Sequence, residues 1–384
     1  MKILLDWMGV CSLGWYRMNS PGYTNKGESD GVEEEEFSIN MAEIVTGLIG
    51  RFQPEETVFA MDSKPYWREK VFTDFYSRHS EVYKEEIEGE TTYYLVYDKK
   101  YFMVKYYKEL GKFNTKKVSL KADRELLEER MLKDELTGVE GEDIPKGIKD
   151  LIPTYKGNRK GKKWDFDTTK GEYYKLCQRI AVQLAETHGC KVVGVEGAEA
   201  DDVAYVYYQH NTASDLMYVT RDSDWTQIAM NGLFLKLFDP QTREFKELIP
   251  EKIKCDLAKK IMSGDAKDNI ANICEEGKAN WGEKKAEAKI LDVGVDNIHE
   301  WLRENVQPAY LKRNYQLIYL ANCPKKLQKL IVKEIEKKPR YNKDALTLEK
   351  YGLDVEDILS INLQAESDRE MDIAKGIYVN GSDT

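Results

Sequence analysis

Acidic side chains follow four short apolar segments of this sequence at the point where each segment ends. Each segment has the length and composition of a buried strand. The carboxyl ends of parallel strands meet at one edge of a sheet, where ligands commonly bind, so these side chains are expected to converge there. The residues concerned are Asp6, Asp62, Glu199, Asp201, Asp202, Asp222 and Asp224.

Such a group of carboxylates predicts a metal site. Like charges a few ångströms apart raise one another's pKa, so the group needs cations to stay ionised. An all-oxygen ligand set favours Mg²⁺, with Mn²⁺ as a substitute, over zinc. Two such ions about 4 Å apart hold the attacking and leaving oxygens of a phosphoryl transfer. A single strand-end aspartate is as often a turn former or a helix cap, but recurrence at successive strand ends favours phosphodiester chemistry.

A further acidic motif occupies Gly264–Asn269. In the plainer interpretation Gly264 ends a helix and Asp265 caps the next turn. In the functional interpretation Asp265 is a distal metal ligand, and the turn that follows, with Lys267, contacts a nucleic-acid phosphate. Both interpretations stay open at the level of the sequence.

The elements that must position these residues alternate between strands and helices. This alternation predicts an α/β fold with a mostly parallel central sheet flanked by helices. Ser38 is expected to cap a helix that extends to Phe52. From Pro250 onward the chain reads mainly as helices. In Lys325–Lys338 the apolar residues share one face, for which core packing is the default interpretation and duplex or partner binding the minority one; they are Leu327, Leu330, Ile331 and Ile335.

The stretch from about residue 79 to about residue 153 differs in composition, because it is rich in Glu, Lys and Tyr. Thr91–Tyr97 and Tyr101–Tyr107 are expected to pair as a hairpin, and Leu120–Leu136 to form a charged helix. We interpret this stretch as an insertion.

Charge and cysteine content limit the classes of function. The net charge of −10 argues at first against a polyanionic partner, but two Mg²⁺ ions would offset four of those charges, and basic residues cluster at 155–163. Six cysteines without a C-x-x-C pair, and only four histidines, argue against zinc. Scattered cysteines and the lack of an apolar run of 18 residues predict a cytoplasmic protein without a membrane partner.

The order and spacing of these acidic motifs resemble the 5′ nuclease, or flap endonuclease, family, above all its T-even-type phage ribonuclease H branch. Outside the insertion the likeness runs from residue 1 to about residue 275. It implies a PIN-like core with one ion held by Asp6, Asp62, Glu199 and Asp201. It also implies a second ion held by Asp222, Asp224 and Asp265, with Asp202 and Asp268 in or near the outer shell. The motifs that carry the likeness are Asp6, Asp62, Tyr66–Arg68, Glu199–Asp202, Asp222–Ile228 and Gly264–Asn269.

The basic segment Tyr155–Arg159 resembles the motif at the base of the family's helical arch. The resemblance implies that Lys156 and Arg159 contact the scissile phosphate and stabilise the charge that develops on it. It also implies that Asp201 takes part in catalysis as a ligand of the catalytic ion. A solvated basic loop is the plainer interpretation. The residues expected to contact nucleic acid are Arg68, Tyr155, Lys156, Arg159, Lys160, Lys162, Lys163, Lys267, Lys284 and Lys285.

The resemblance also implies a domain plan and an activity. Residues 1–262 are expected to form the nuclease core, with an arch region at about 66–170 that carries the insertion, and 263–384 a helix–hairpin–helix-like and helical region. The implied activity is 5′→3′ exonuclease and flap endonuclease, with ribonuclease H activity on primers in phage DNA replication. The implied partners are DNA and RNA–DNA duplexes with 5′ flaps or ends, and a single-stranded-DNA-binding protein or sliding clamp.

Two alternatives remain. One is another metal-dependent phosphohydrolase, such as a PIN-type ribonuclease or a haloacid-dehalogenase-like phosphatase. The phosphatase normally needs a D-x-D motif at the first strand, and Asp6-Trp-Met8 lacks its second aspartate. The other is a catalytically inactive protein that binds DNA structures, which has no need of so many metal-facing carboxylates.

Overall fold

The computed structural model describes residues 1–18, 34–98, 100–107, 112–157, 170–231, 234–273 and 281–339. The chain divides into two compact units, each assembled from separate segments. The first unit comprises Met1–Pro65, Lys162–Ile253 and Cys323–Thr384, and the second comprises Tyr66–Gly161 and Lys254–Asn322.

Strands and helices are interspersed as far as Phe245, and the described elements after it are helices. In chain order the elements are β1 (Lys2–Asp6), α1 (Trp7–Met18), α2 (Glu34–Phe52), β2 (Glu56–Ala60), α3 (Tyr66–His79), β3 (Glu81–Ile87), β4 (Glu90–Tyr97), β5 (Lys100–Tyr107), β6 (Lys112–Val118), α4 (Lys121–Leu132), β7 (Thr137–Gly138), α5 (Lys146–Lys149), α6 (Lys170–His188), β8 (Lys191–Val193), α7 (Ala200–His210), β9 (Leu216–Val219), β10 (Leu235–Asp239), β11 (Glu244–Phe245), α8 (Pro250–Ser263), α9 (Glu283–Val293), α10 (Ile298–Asn305), α11 (Pro308–Ile318) and α12 (Lys325–Ile335). Short 3₁₀ turns lie at Gly141–Asp143, Ser223–Asn231 and Leu320–Asn322.

A six-stranded sheet in the order β11-β10-β9-β1-β2-β8 forms the centre of the first unit. Every neighbouring pair is parallel except β10 and β11. The central strands have buried, mostly apolar interiors, Ile3–Leu5 in β1 and Leu216–Val219 in β9, as expected for a parallel sheet covered on both faces. The predicted α/β fold with a mostly parallel sheet is confirmed.

Helices α1, α2 and α6 share one core with this sheet. The Trp7 ring stacks on Phe59 at 4.8 Å, and its Nε1 donates to the Cys177 carbonyl at 2.7 Å. Because a buried indole N–H needs an acceptor, this bond fixes the start of α1 against α6. The residue that directly precedes α1 is Asp6, so the same packing holds Asp6 in place.

Two local expectations for the helices were wrong. Helix α2 begins at Glu34 rather than after Ser38, and the Ser38 hydroxyl donates to the Glu34 carbonyl within the helix. The acidic run Glu34–Glu36 forms its first turn, where negative charge stabilises the helix dipole. In α12, Leu327, Ile331 and Ile335 are buried as expected, but Leu330 is 51% exposed.

The second unit contains a five-stranded antiparallel sheet in the order β6-β5-β4-β3-β7. The predicted hairpin is present as β4 and β5, and β3 and β6 extend it on either side. One face contributes Val82, Leu95 and Val104 to a core that also contains residues of α3, α8, α9 and α11. The other face is covered by α4 through Leu127. The sheet therefore shares its hydrophobic core with the helices of the second unit.

A buried ion pair connects this sheet to the helices around it. Arg313 of α11 donates to Asp98, in the turn between β4 and β5, at 3.1 Å. The same guanidinium donates to the carbonyl of Ala271 at 2.7 Å.

No helix in the described ranges combines the length and apolar composition that crossing a membrane requires.

Candidate active site

The acid-bearing strand ends are neighbours in the first unit. Asp6 is the last residue of β1 and is paired in register with Ala60 of β2, two residues before Asp62. On the other side β1 pairs with β9, whose end at Val219 leads through Thr220 to Asp222. The structure therefore brings these carboxylates to one edge of the sheet, here named the carboxylate edge: Asp6, Asp62, Glu199, Asp201, Asp202, Asp222 and Asp224.

Asp6 lies at the centre of this edge. Its Oδ1 accepts a hydrogen bond from the Gly9 amide and its Oδ2 one from the Thr220 hydroxyl, both at 3.0 Å. Burial, together with the negative charges of Asp62 and Asp222, raises the pKa of Asp6 to about 7, although the hydrogen bonds from Gly9 and Thr220 lower it. A carboxylate that is this costly to ionise marks a place where a cation would be stabilising.

Gly9 allows the close approach of helix α1 to Asp6. A Cβ at this position would lie 2.4 Å from Asp6 Oδ2 and 2.8 Å from its Cγ. The amide of Gly9 is also the donor that orients the carboxylate. Any larger residue would therefore displace Asp6 from its place at the edge.

The start of α7 brings a second group of acids to the same edge. Asp62 Oδ1 accepts the amide hydrogen of Ala200 at 2.9 Å, which joins the end of β2 to the first turn of α7. Asp202 is fully buried, and its Oδ2 accepts from the Glu199 amide at 3.0 Å, as in a capping box. Asp201 Oδ1 accepts from the Trp225 indole at 2.7 Å.

The Asp222–Asp224 loop is ordered by side chain to backbone hydrogen bonds. The Asp222 amide donates to the Thr220 hydroxyl at 2.9 Å, and the Asp224 amide donates to Asp222 Oδ1 at 2.8 Å. Trp225 then inserts into the core, where its ring contacts Tyr218 edge to face. This buried ring fixes the loop and presents its N–H to Asp201.

Several residues that shape this edge were not identified as such from the sequence. They are Gly9, Thr220 and Trp225, together with Ser63, whose Oγ accepts from the Gly197 amide at 3.2 Å. The available signals were a threonine at the end of a strand before the Asp222 motif and a tryptophan directly after Asp224. Neither signal shows which carboxylate the side chain contacts, because those contacts join residues far apart in the chain.

The donor set fits a hard divalent cation. Each member offers carboxylate oxygen, the ligand that Mg²⁺ and Mn²⁺ prefer. Within the described ranges, no three or more His, Cys, Asp or Glu side chains are grouped so that they could hold a metal ion as placed. A carboxylate has about four acceptor sites, so a hydrogen bond such as that from Gly9 to Asp6 does not preclude metal ligation.

The Gly264–Asn269 motif forms a tight turn in the second unit. Asp265 and Ile270 exchange two backbone hydrogen bonds, at 2.9 and 2.8 Å. Asp265 Oδ1 accepts from the Lys267 amide, and Oδ2 lies 2.8 Å from Lys260 Nζ. Burial opposes ionisation, but Lys260 and the turn amides outweigh it and hold the pKa of Asp265 below its usual value. These contacts account for Asp265 as a turn-capping residue, and its role as a metal ligand stays a prediction.

This turn is tied to the basic segment that was expected at the base of an arch. The Tyr155 hydroxyl donates to Asp268 Oδ2 at 2.9 Å, and the Lys156 amide donates to the Asp268 carbonyl at 3.0 Å. Lys156 Nζ lies 3.8 Å from the same carboxylate, and Asn269 Nδ2 donates to the Thr154 carbonyl at 3.0 Å. Asp268 therefore positions Tyr155 and Lys156 within the second unit.

The remaining predicted contacts differ in accessibility. Arg68 is only 2% exposed, with its guanidinium 4.4 Å from the centre of the Trp67 ring. Lys267, Lys284 and Lys285 are exposed, and the Lys285 ammonium lies 4.1 Å from the centre of the Trp281 ring. Their nucleic-acid contacts stay predictions, and a further group lies outside the described residues: Arg159, Lys160, Lys162 and Lys163.

Three solved structures from bacteriophage T5 are similar to this chain. The D15 protein co-crystallised with metal ions has a TM-score of 0.48 and 14% identity, over 87% of this chain and 97% of that one. A T5 5′-exonuclease mutant has a TM-score of 0.42 and 13% identity, over 94% of this chain and 98% of that one. A mutant D15 flap endonuclease in complex with DNA and metal ions has a TM-score of 0.44 and 14% identity, over 94% of this chain and 98% of that one. No family model and no curated protein matches the sequence. The function of this chain is therefore inferred from its own residues.

Proposed function

We propose that this protein is a metal-dependent 5′ nuclease that hydrolyses phosphodiester bonds near the junction of a 5′ single strand and a duplex. Its activity would be that of a 5′→3′ exonuclease and a 5′-flap endonuclease. The observation that most supports this proposal is the convergence of Asp6, Asp62 and Asp222 at one edge of a parallel sheet, where burial and the charges of Asp62 and Asp222 raise the pKa of Asp6. Such crowding costs stability unless cations are bound.

Two Mg²⁺ ions, with Mn²⁺ as a substitute, are the cofactor that this donor set fits. Bound there, divalent cations would lower the pKa of water and stabilise the charge that develops on the phosphate. The first ion is assigned to Asp6, Asp62, Glu199 and Asp201, and the second to Asp222 and Asp224. Asp265, which belongs to the second unit, is assigned to the second ion by the resemblance of its motif alone. Asp202 and Asp268 would lie in the outer shell.

The chain's own side chains would orient these ligands and the substrate. Thr220 and Gly9 hold both oxygens of Asp6, and Trp225 holds Asp201. Preorganised ligands of this kind lower the cost of reorganisation during the reaction. Lys156, positioned by Asp268, would offer positive charge to a phosphate, as would Arg159.

The finer assignment is supported by the resemblance of the acidic motifs, in their order and spacing, to those of the 5′ nuclease family. It comprises ribonuclease H activity and the removal of primers and flaps in phage DNA replication, in the cytoplasm of the infected cell. The partners would be DNA and RNA–DNA duplexes with 5′ flaps or ends, and a single-stranded-DNA-binding protein or sliding clamp.

Cleavage of an internally labelled 5′-flap duplex tests the proposal. The reaction is followed with Mg²⁺, with EDTA, and with the variants Asp201→Asn and Glu196→Gln. Asn at position 201 keeps an acceptor for the Trp225 N–H and removes only the charge. Glu196 is an exposed acid in the same loop with no assigned role, so its variant is the matched control. We expect metal-dependent cutting near the junction that Asp201→Asn abolishes and Glu196→Gln retains.

The same assay separates the alternatives. Tight flap binding without cleavage in Mg²⁺ or Mn²⁺ would identify an inactive DNA-structure-binding protein. Cleavage of single-stranded RNA in preference to the flap would favour a PIN-type ribonuclease. Neither binding nor cleavage would show that the proposed substrate is wrong.

A further inference from the structure

Helix α12 of the first unit presents a basic face to solvent. Its apolar residues Leu327, Ile331 and Ile335 are buried. At about 100° per residue, the lysines on the opposite side fall within an arc of roughly 100°. All are exposed, and we name them the lysine stripe: Lys325, Lys326, Lys329 and Lys333.

No acidic side chain within the described part of the chain forms a salt bridge with any lysine of the stripe. Many lysines elsewhere are paired; for example, Lys254 lies 3.0 Å from Asp296 and Lys70 lies 3.1 Å from Asp74. The chain has a net charge of −10, so this positively charged helix face has the opposite sign to the protein as a whole. Such a face has electrostatic complementarity to a polyanion.

The orientation of α12 relates the stripe to the carboxylate edge. Lys191, the first residue of β8, donates from Nζ to the Ile335 carbonyl at 2.9 Å, so α12 ends at the amino edge of the sheet. The last turn of α7 lies there too, with His210 Nε2 4.0 Å from Glu336. Helix α7 begins at the carboxylate edge, and α12 packs against α7. Because both helices end at the amino edge of the sheet, α12 begins on the side of the carboxylate edge, and the stripe runs from that side toward the amino edge.

We propose that the lysine stripe of α12 binds the phosphate backbone of the duplex part of the substrate. This inference rests on the proposed nuclease function and adds a second contact surface on the first unit. From Lys325 to Lys333 the helix rises roughly 12 Å. One strand of B-DNA carries a phosphate about every 3.4 Å along its axis, so the stripe matches three to four phosphates.

The salt dependence of binding tests this proposal. Each phosphate neutralised by a lysine adds about 0.9 to the slope of log K against log salt. The variant Lys325→Gln, Lys326→Gln, Lys329→Gln, Lys333→Gln is titrated with the 5′-flap duplex in Mg²⁺, in an Asp201→Asn background. We expect the slope to become shallower by about 2–4 and the affinity at low salt to fall at least tenfold. The matching Lys→Arg variant should keep the slope.

A matched control removes the same charge from lysines that have acidic partners. It combines Lys70→Gln, Lys121→Gln, Lys133→Gln and Lys254→Gln, each of which forms a salt bridge. A slope and affinity in the stripe variant equal to those of this control would overturn the proposal, and the stripe would then be a solvated face or contact an acidic protein. If the unmutated chain neither binds nor cleaves the flap duplex, the proposed function itself fails. Thermal melting by circular dichroism verifies that each variant is folded.

Discussion

At the level of single residues, Asp6 has two functions that its sequence context presented as alternatives. As a helix cap, it accepts the Gly9 amide at the start of α1. As a member of an acidic cluster, it is buried near Asp62 and Asp222, and burial together with their negative charges raises its pKa. A strand-end aspartate can therefore be a structural cap and a candidate metal ligand at once, because one carboxylate has several acceptor sites.

The raised pKa of Asp6 gives a pH dependence to the stability of the metal-free protein. Between about pH 4 and pH 7 the folded state keeps a proton on Asp6 that the unfolded state has lost, so this contribution to stability falls as pH rises. We expect Asp6→Asn to stabilise the protein by roughly 1–3 kcal/mol at pH 8 and by roughly a third of that at pH 5, with about 4 kcal/mol as the upper limit at pH 8.

Urea denaturation in EDTA at the two pH values measures this difference. The exposed Asp215 serves as the control, because Asp215→Asn should cause only a small change in the free energy of unfolding, of the same size at both pH values. An equal effect of Asp6→Asn at pH 5 and pH 8 would contradict the assignment of Asp6 as a carboxylate that is costly to ionise.

Gly9→Ala should impair activity by displacing Asp6. The new Cβ would lie 2.4 Å from Asp6 Oδ2. We expect a loss of at least tenfold in the single-turnover rate of flap cleavage. In the control Gly14→Ala, in the same helix, the Cβ would lie 2.7 Å from Met41 Sδ and would not approach Asp6. Both changes gain helix propensity of up to about 1 kcal/mol, so a difference between the two variants does not come from propensity. Wild-type cleavage by Gly9→Ala would show that Asp6 does not need this close approach.

At the level of elements, the sequence predicted the parallel sheet well and the antiparallel sheet poorly. The central strands are apolar runs that end in acids, and both features are local. By contrast, β3 and β6 are so charged that they do not read as strands. They are stabilised by pairing with β4 and β5 and by non-local contacts such as that of Glu85 with Arg130 and Tyr94. The contacts of Thr220 and Trp225 could not be predicted for the same reason.

The antiparallel sheet depends on the buried charge of Arg313. In Asp98→Asn the guanidinium loses its carboxylate partner while an acceptor oxygen remains at the turn. Breaking a buried pair from one side costs about 3–5 kcal/mol, and the retained acceptor should reduce this to roughly 2–4 kcal/mol. Hydrogen exchange of the β4–β5 hairpin and of α11 measures the stability of the second unit.

A matched control for Asp98→Asn is available in the same unit. Asp134 has a similar backbone conformation, with φ at 54° compared with 46° at Asp98, but its side chain is exposed. Asp134→Asn should therefore change stability by less than about 0.5 kcal/mol. If the two variants were equally stable, the Asp98–Arg313 pair would not hold the sheet to the helices, and the sheet could be excised as a separate lobe.

At the level of the whole molecule, the distribution of charge is more informative than its sum. The net charge of −10 alone argues against nucleic acid. Part of that negative charge is concentrated at the carboxylate edge, where bound cations would neutralise it. The lysine stripe is a separate positive surface in the same unit. A chain can therefore be acidic overall and still offer a phosphate backbone both cations and lysines.

Magnesium should stabilise the first unit selectively. The amides of Gly9, Ala200 and Asp224 donate to carboxylates of the edge, so their hydrogen exchange reports on local opening there. At ten times its Kd, Mg²⁺ would stabilise the closed state by about 1.4 kcal/mol, which slows exchange roughly tenfold. The β4–β5 hairpin of the second unit serves as the internal control. The Gly264–Asn269 turn decides the role of Asp265, because slowing there with the same Mg²⁺ dependence would identify Asp265 as a ligand. Unchanged exchange in the turn would leave Asp265 as a cap, and unchanged exchange at all three edge amides would contradict the metal site.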